Sequence, residues 1–302
     1  MKKYVMKIFL ALPVICMLSS FSSGHDGDII QVPQMKQEPS QASRLTDDGY
    51  FDGLLYYKIT SNSTNEVALV KVENSALTVD IPSQVIIEGK TYTCTRIENN
   101  VFMGLKRMTS VTIPNSITII GESAFYGCSG LNSISIPNSV TSIGEHAFYE
   151  CSSLTAITIP NSVTSISDGA FAYCKGLTYI TIPNSVTSIR DYAFSYCSRL
   201  TDYYIWAEKV PYTEGFSFSF ANIKNAILHV PAPSVEIYRQ KDPWSGFGKI
   251  VPLTDDDPNP TSMKGIKHSD NLNDEYYDLT GRKVNNPKKG LYIKNGKKVI
   301  LK

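Results

Sequence analysis

The sequence has little of what an enzyme or a metalloprotein usually shows. Its histidines are scattered, and none stands at motif spacing from a serine, cysteine or carboxylate partner; they are His25, His146, His229 and His268. The chain contains no G-x-S-x-G, no H-E-x-x-H, no phosphate-binding loop and no D-x-[DN]-x-[DN]-G calcium loop. We therefore expect a protein that is not an enzyme, with no catalytic residues, no metal ligands and no cofactor.

Long apolar runs are missing except for one near the N-terminus. Three lysines (Lys2, Lys3 and Lys7) precede an apolar run over 8–18, and small residues follow at 19–24. This order predicts a secretory signal peptide over 1–23, cleaved near residues 22–24. No other run approaches the roughly 20 residues that span a bilayer. We expect no transmembrane span and a protein that is secreted or lies on the outer cell surface.

No charge dominates the whole chain, which has 29 Lys and Arg against 28 Asp and Glu. The charges are segregated, however, because the last residues, 264–302, carry ten basic and four acidic side chains. Taking this net +6 and the three N-terminal lysines from the total of +1 leaves residues 8–263 at about −8. An acidic body argues against nucleic acid as a partner.

A repeat of fixed length occupies the middle of the chain. Segments 97–114, 120–137, 143–160 and 166–183 align without a gap, and a fifth copy starts at Ile189, which defines a 23-residue unit. The copy at 143–165 reads I-x-x-x-A-F-x-x-C-x-x-L-x-x-I-x-I-P-N-S-V-T-S in its repeated pattern. One unit cannot bury its own apolar face, so the stacked units must share a core.

Two columns of side chains recur once per unit and are expected to fill this core. They are Phe125, Phe148, Phe171 and Phe194, and Cys128, Cys151, Cys174 and Cys197. Zinc needs ligands that converge tetrahedrally, whereas one cysteine per coil gives a line with a repeat of about 4.8 Å. Parallel Cβ vectors also oppose disulfides between neighbouring coils. We expect buried, mostly free thiols that act as core filler.

Two polar columns flank the same turns. Carboxylates or an amide precede the A-F position of each unit, at Asn99, Glu122, Glu145, Asp168 and Asp191. Capping of free backbone N–H groups explains this column better than calcium binding, although both use the same oxygen atoms. A second column follows each strand, at Asn115, Asn138, Asn161 and Asn184. These asparagines are expected to form corner turns with hydrogen bonds along the stack.

The unit resembles the BspA-like class of leucine-rich repeats, through its A-F-x-x-C-x-x-L-x-x-I-x-I-P signature over about residues 96–206. The resemblance implies a repeat solenoid of 23-residue units, with a parallel β-sheet on one side and short helical or 3₁₀ turns on the other. A β-rich N-terminal cap over 46–95 would follow a linker at 24–45, and the solenoid with its C-terminal cap would cover 96–253. Tyr238, on an expected helix, and Trp244 are positioned to seal the last coil.

The outward strand positions change character along the stack. Hydroxyl groups in the early coils give way to Tyr179, Asp202 and Tyr204, with Trp206 close by. Aromatic side chains of this kind dominate recognition energies, so these four residues are the candidates for partner binding. The alternative interpretation is that the aromatic residues simply cover the C-terminal coils. A threonine column at 118, 141, 164 and 187 would suit an ice-binding array, but Ser133, Ala156 and Tyr179 break the required T-x-T face.

The C-terminal segment, 266–302, follows a proline-rich linker at 254–265. Its Y-D-L-x-G pattern from Tyr277 and its G-x-Y-I-x-x-G-K-K pattern from Gly290 resemble the sorting segments of type IX secretion cargo. The function implied by both resemblances is an adhesin-like surface protein, expected to be a monomer. Its partner would be a protein or glycan on a host or bacterial surface. The alternative function is a non-catalytic scaffold of the cell envelope.

Overall fold

The computed structural model describes residues 40–260 apart from 42–43 and 47–48, and then the short stretches 276–277, 283–284, 290–294 and 297–301. The predicted signal peptide lies outside the described residues. The chain divides into two units, one covering 35–266 and the other containing 267–302. Within the described residues, no helix is both long enough and apolar enough to cross a membrane.

The N-terminal part is a twisted sheet. Its strands are β1 (Ser40–Gln41), β2 (Arg44–Thr46), β3 (Gly49–Phe51), β4 (Leu55–Ser61), β5 (Glu66–Val72), β6 (Thr78–Asp80), β7 (Gln84–Ile87) and β8 (Lys90–Ile97). They run β1-β7-β8-β5-β4-β3-β2, with β6 outside this path. β1 and the first two residues of β2 fall within 24–45, which the sequence predicted as linker, so the sheet begins earlier than the sequence indicated. The pairing of Ser40 with Val85 explains the difference, because the partner of β1 is distant in the sequence.

The solenoid follows directly. Its elements are β9 (Ser110–Thr112), β10 (Ile119–Ile120), β11 (Ser142–Ile143), β12 (Ala156–Thr158), β13 (Ser165–Ile166), β14 (Tyr179–Ile182), β15 (Ser188–Ile189), β16 (Asp202–Ile205), β17 (Tyr212–Thr213), β18 (Ile227–Val230), helix α1 (Val235–Arg239) and β19 (Lys249–Pro252).

Two columns of short parallel strands build the walls. One wall contains the sheet β12-β14-β16-β18-β19 and the pair β6-β9; the other contains β8-β10-β11 and β13-β15-β17. Ile157 pairs with Ile180, and Ile180 pairs with Tyr203, so each step is one 23-residue unit. The next step, from Tyr203 to Leu228, is longer than this unit. The fold is therefore a leucine-rich-repeat solenoid whose strict period ends after β16.

The third side of each coil is made of turns. Tyr126 and Cys128 donate backbone N–H bonds to the carbonyls of Ser123 and Phe125, which is the i to i+3 pattern of a 3₁₀ turn. Left-handed residues interrupt these turns twice per coil, as at Ser123 (φ 53°) and Gly127 (φ 68°). The N–H groups of Phe125 and Gly127 donate instead to carbonyls of the next coil. The turns thus stay short, and they are tied to one another along the axis.

The interior holds both predicted columns. Side chains of Phe125, Phe148, Phe171, Phe194, Cys128, Cys151, Cys174 and Cys197 are all 0% exposed. The phenylalanine rings stack almost parallel, with centroids 5.1 Å apart between Phe125 and Phe148. Each thiol of the column donates to the phenylalanine carbonyl of the preceding coil, as Cys151 Sγ does to Phe125 O at 3.2 Å. The described cysteines are free and buried.

Hydroxyl groups join the coils at their corners. Thr141 Oγ1 donates to Thr118 O at 3.2 Å, and Thr187 Oγ1 donates to Thr164 O at 3.3 Å. These bonds use the hydroxyls that an ice-binding face would need to present. At the adjacent corner the serine of three N-S pairs makes the bond, as Ser139 Oγ does to Ile117 O at 2.6 Å, whereas Ser116 Oγ in the first coil has no hydrogen-bond partner. The prediction that the asparagines carry these bonds fits only Asn184 among the described residues, since its Oδ1 accepts from the Glu208 N–H.

A C-terminal cap closes the open end of the core. Helix α1 lies between short 3₁₀ turns, and Tyr238 and Trp244 are both fully buried. The Tyr238 hydroxyl donates to Ala207 O at 2.9 Å, while Trp244 packs edge-on against Phe218 at 5.2 Å. These two side chains occupy the positions that the sequence suggested for sealing the stack.

The C-terminal unit contains β20 (Tyr276–Tyr277), β21 (Lys283–Val284), β22 (Gly290–Lys294) and β23 (Lys297–Leu301). They form a four-stranded antiparallel sheet in the order β21-β20-β22-β23. β22 and β23 pair in antiparallel register, from Gly290 with Leu301 to Lys294 with Lys297.

Candidate binding face

Four sequence-predicted residues lie on or beside the outer face of the solenoid sheet β12-β14-β16-β18-β19. The ladder of β14, β16 and β18 pairs Tyr179 with Asp202, and Tyr204 with His229. Alternate residues of a strand point to opposite faces, so the buried Ile180 and Tyr203 turn inward while their neighbours turn outward. The structure therefore brings Tyr179, Asp202 and Tyr204 together, and it adds His229, which the sequence did not indicate.

Tyr204 is the centre of this group. Its ring stacks on the His229 ring, with centroids 4.3 Å apart and planes 25° apart, and Tyr179 meets it edge-on at 6.1 Å. Burial raises the pKa of the Tyr204 phenol, and the charges of Asp202 and Asp257 add to this effect. The phenol thus stays neutral near pH 7 and can both donate and accept a hydrogen bond. Tyr179, at 37% exposed, is the most accessible ring of the three.

His229 connects the sheet to the segment that follows it. Its Nε2 lies 3.1 Å from Asp202 Oδ1, and its Nδ1 lies 3.9 Å from Asp257 Oδ2. The same Asp257 carboxylate accepts from the N–H of Thr254 at 2.7 Å. Residues 254–260 therefore turn back towards the strands instead of leaving the solenoid directly.

Trp206 is held by this returning segment. Its indole Nε1 donates to Pro258 O at 2.9 Å, so the one polar group of the side chain already has a partner. The side chain is half-buried. Of the four predicted residues, Trp206 is consequently the least available to an incoming partner, and it acts as the anchor for residues 254–260.

Sequence reasoning missed His229, Asp257 and Pro258 for one physical reason. His229 lies 27 residues from Asp202, and Pro258 lies 52 residues from Trp206. Both separations fall outside the 23-residue period, so alignment of the repeats does not bring these residues into register. The D-D-D-P-N-P composition of 255–260 indicates a linker and carries no sign that it packs on the sheet.

The acidic column beside the turns was predicted to cap backbone N–H groups, and it does so between coils at its two ends. Asn99 Oδ1 accepts from the N–H of Glu122 at 2.9 Å, and Asp191 Oδ1 accepts from the N–H of Phe216 at 3.0 Å. Glu214 Oε2 accepts from the N–H of Asp191 at 3.0 Å. At these two ends the bonds run to a neighbouring coil and not within the unit's own turn.

Two members of this column, together with Glu214 of the next coil, come close enough to consider a cation. Oxygen atoms of Asp168, Asp191 and Glu214 lie within 4.8 Å of one another. Arg190 already pairs with Glu214 at 2.5 Å, and the capping bonds occupy further oxygens of the group. Hydrogen bonds and an ion pair thus already engage oxygen atoms of Asp191 and Glu214.

The cysteine column offers no reactive group on the surface. Burial raises the pKa of Cys128 and Cys197 to about 12, and it raises the pKa of Cys151 and Cys174 well above the ordinary value. A thiol with a raised pKa stays protonated at neutral pH, and the thiolate is the species that attacks electrophiles or binds metals. The column is therefore packing material.

The comparisons with known proteins agree with this architecture. A family model described as the BspA type leucine rich repeat region matches residues 95–224 in six copies. A solved leucine rich cell surface protein from Faecalibacterium prausnitzii is 32% identical, with a TM-score of 0.53 over 67% of this chain and 50% of that chain. The pneumococcal vaccine antigen PcpA is 21% identical, with a TM-score of 0.50 over 61% of this chain and 50% of that chain.

No curated protein matches the sequence. The chain spans half the length of both solved proteins just described. The fold thus defines a leucine-rich-repeat solenoid protein. More particularly, its repeats are similar to the BspA type over residues 95–224.

Proposed function

We propose that the protein is an adhesin-like binding protein of the cell surface, which presents the outer face of the solenoid sheet β12-β14-β16-β18-β19 to a partner. The surface location is supported by the Faecalibacterium prausnitzii protein, whose name describes a leucine rich cell surface protein and which is 32% identical. The binding class is supported by the repeat architecture, since curved solenoids offer extended faces for recognition.

One observation carries the choice of face. Tyr179, Tyr204 and His229 form a continuous ring cluster on three neighbouring strands, and its rings are already fixed by one another. Rings that are ordered before binding lose little conformational entropy when a partner arrives, so more of their contact energy appears as affinity. Large aromatic side chains are also the residues that most often carry binding energy in interfaces.

The chemistry of the cluster suits a protein or a glycan on a host or bacterial surface. The exposed edge of Tyr179 offers apolar contact, and the neutral Tyr204 phenol offers a hydrogen bond. Asp202 stands beside them and is only partly buried, so it can accept from a partner's donor group. The mixture of ring and carboxylate fits a polar partner better than a purely apolar one.

The test is a pull-down with the immobilised full chain. Host extracellular and serum proteins, together with a panel of surface glycans, would be offered to wild type and to Tyr179→Ala. Because Tyr179 is the most exposed ring of the cluster, its loss should weaken the binding of a partner by roughly tenfold or more without unfolding the sheet. The matched control is Ser110→Ala with Thr112→Ala, at exposed positions of the corresponding strand in an early coil.

Loss of one partner in Tyr179→Ala, with full retention in the control, would support the proposal. Equal retention by all three proteins would contradict the choice of face. If wild type retained nothing, the adhesin function itself would be wrong, and a scaffold of the cell envelope would take its place. One observation favours that second function: residues 254–260 already cover Trp206 on the same face.

Export is part of the same proposal. The signal peptide at 1–23 would direct the chain out of the cytoplasm, and the sheet β20–β23 would serve as the sorting segment that its sequence resembles. Intact, washed cells would be treated with protease and the chain detected with an antibody. Loss of antibody detection after the protease treatment would support a surface position, whereas full protection would argue that the chain is held inside the envelope.

A further inference from the structure

A second aromatic surface lies on the third side of the solenoid, along the turns. Five rings stack in a continuous row that we call the turn ladder: Tyr126, Tyr149, Tyr173, Tyr196 and Phe220. Successive ring centroids lie 4.6, 5.1, 4.4 and 4.5 Å apart. The row ends in Phe220, which is 72% exposed, and a shorter stack of Tyr192 on Phe216 runs beside it. Nothing in the interior requires these rings, because the core is filled by the phenylalanine column.

The turn ladder changes register along its length. Tyr126 and Tyr149 directly follow their core phenylalanine, whereas Tyr173 and Tyr196 stand one position later and take left-handed backbone at φ 58° and 59°. The rings meet at 44° where the register changes, between Tyr149 and Tyr173, and are close to parallel elsewhere. The same coil position is left-handed at Gly127 and Glu150, so the shifted tyrosines stand at a position whose backbone the coil already fixes, although bulky residues rarely adopt it.

The chain itself seats a cation on this row. The ammonium of Lys175 lies over the Tyr173 ring, 5.7 Å from its centroid, next to the point where the tilt opens the stack. This distance is within the range in which the ring quadrupole attracts a positive charge. Since the stacked rings cover one another's faces elsewhere, they present edges and phenol oxygens outwards, and those oxygens can accept from ammonium or guanidinium N–H groups.

The turn ladder is flanked by more acidic than basic side chains. The turn segments 98–105, 121–128, 144–151, 167–174, 190–197 and 213–220 contain seven carboxylates and one basic side chain, Arg190, and four more basic residues follow these segments within two positions, at Lys106, Arg107, Lys175 and Arg199. Glu122, Glu145 and Glu150 are exposed, and Glu150 directly follows Tyr149 in the chain, which places it beside the row. A row of rings between carboxylates complements a polymer that carries both positive charge and apolar stems, as lysine and arginine side chains do.

We propose that the turn ladder and its flanking carboxylates form a docking surface for a lysine- and arginine-rich polypeptide segment. The aliphatic stems would pack against ring edges, and the cationic groups would reach the phenol oxygens and the carboxylates. The sheet face with Tyr179 and Asp202 is a separate surface, so this inference does not depend on the proposed function. Binding should be salt-sensitive, because exposed charges are screened beyond about 10 Å at moderate salt.

The test uses the full chain and a fluorescent peptide of about a dozen residues in which lysine alternates with glycine. Alternate residues of an extended peptide lie about 6.7 Å apart on one side, and flexible lysine stems can adapt this spacing to the row. Wild type should bind, and added salt should weaken the complex. Glu122→Gln with Glu145→Gln should weaken it by roughly tenfold, because two flanking charges are lost while the side-chain shape is kept.

A second variant tests the rings. Tyr196→Asn with Phe220→Asn removes two rings, and asparagine accepts the left-handed backbone that both positions use. We expect roughly fivefold or greater weakening, since stacked and cationic contacts are both lost. Matched controls are Asp80→Asn with Asp256→Asn, which are exposed acids away from the turns, and Tyr179→Ser on the sheet face; neither should change the affinity. Urea unfolding would establish that each variant is folded.

Four results would overturn the proposal. The first is no binding of the lysine peptide by wild type at low salt, and the second is equal weakening in the variants and their controls. The third is equal binding of a peptide with serine in place of lysine, which would show that binding does not depend on the positive charge of lysine. Self-association of wild type that is lost in Phe220→Asn would assign the exposed ring to a second copy of the chain, and this would also count against the proposal.

Discussion

Two rows of stacked aromatic rings run along the turns of the solenoid, one facing the core and one facing solvent. The inner row keeps one residue type at one position, and its centroids lie 4.7 Å apart at Phe102 and Phe125 and 5.8 Å apart at Phe171 and Phe194, with planes within 6°. The outer row has similar spacing, but its residues shift position and one pair tilts by 44°. The two rows thus have similar ring spacing, although the position of the ring within each coil is fixed in the inner row and varies in the outer row.

This difference follows from packing. An inner phenylalanine is surrounded by the same neighbours in every coil, and a change in volume or position would leave a cavity or a clash. An outer tyrosine meets mainly the rings above and below it, so the backbone can shift it by a single position without disturbing the core. Regularity therefore reports on stability in this fold, whereas irregularity marks positions that are free to vary for recognition.

The largest expected effect separates the two rows at one turn. Phe148→Ala should reduce the free energy of unfolding by about 3–5 kcal/mol, because it opens a cavity in a closely packed column. Tyr149→Ala, at the next residue, should cost only about 1–2 kcal/mol, because the ring is half-buried and loses stacking contacts without opening the core. Urea unfolding of both variants measures the contrast. Similar losses would mean that the outer row supports the fold as much as the inner one.

The 23-residue period was enough to predict the inner columns, the parallel sheet and the turns, because every coil repeats one environment. It predicted Tyr179, Asp202 and Tyr204 as outward residues for the same reason. It could not place His229 beside them, since the step from Tyr203 to Leu228 is longer than one unit and breaks the period. The contacts across the end of the stack depend on the length of that irregular coil, and no local sequence pattern predicts this length.

The turn ladder shows a different limit. A tyrosine stands shortly after each phenylalanine of four successive coils, and this signal is visible in the sequence. Aligning the repeats position by position hides it, because the shift at Tyr173 moves the ring to another column. A search for any aromatic residue in each turn, at either of the two positions, would have found the row. Only the structure shows that the rings stack across the shift.

A second contrast between inside and outside concerns alkaline pH. Burial raises the pKa of Cys128 from 9.0 to about 12, so the folded thiol keeps its proton while the unfolded one ionises above pH 9. Stability from this group is therefore complete below about pH 9 and declines as the pH rises towards 12, by about 1.4 kcal/mol per pH unit. Cys128→Ala should lose this part of the decline.

The measurement is urea unfolding of wild type and Cys128→Ala at about pH 8 and about pH 10. The variant starts from lower stability because it leaves a small cavity, but its stability should fall less between the two pH values. Other buried groups titrate in both proteins and cancel in the comparison. An identical fall in both proteins would mean that the thiol ionises in the folded state and is less enclosed than the inner column requires.

The smallest expected effect tests which residue of the N-S corner holds adjacent coils together. Ser139 Oγ donates to Ile117 O at 2.6 Å, whereas the side chain of Asn138 is exposed. Ser139→Ala should therefore cost about 0.5–1.5 kcal/mol, because a partly buried carbonyl loses its donor. Asn138→Ala should stay within about 0.5 kcal/mol of wild type, as is usual for exposed positions. A larger loss in Asn138→Ala would restore the asparagine as the corner residue and would mean that its backbone turn, rather than the serine bond, joins the coils.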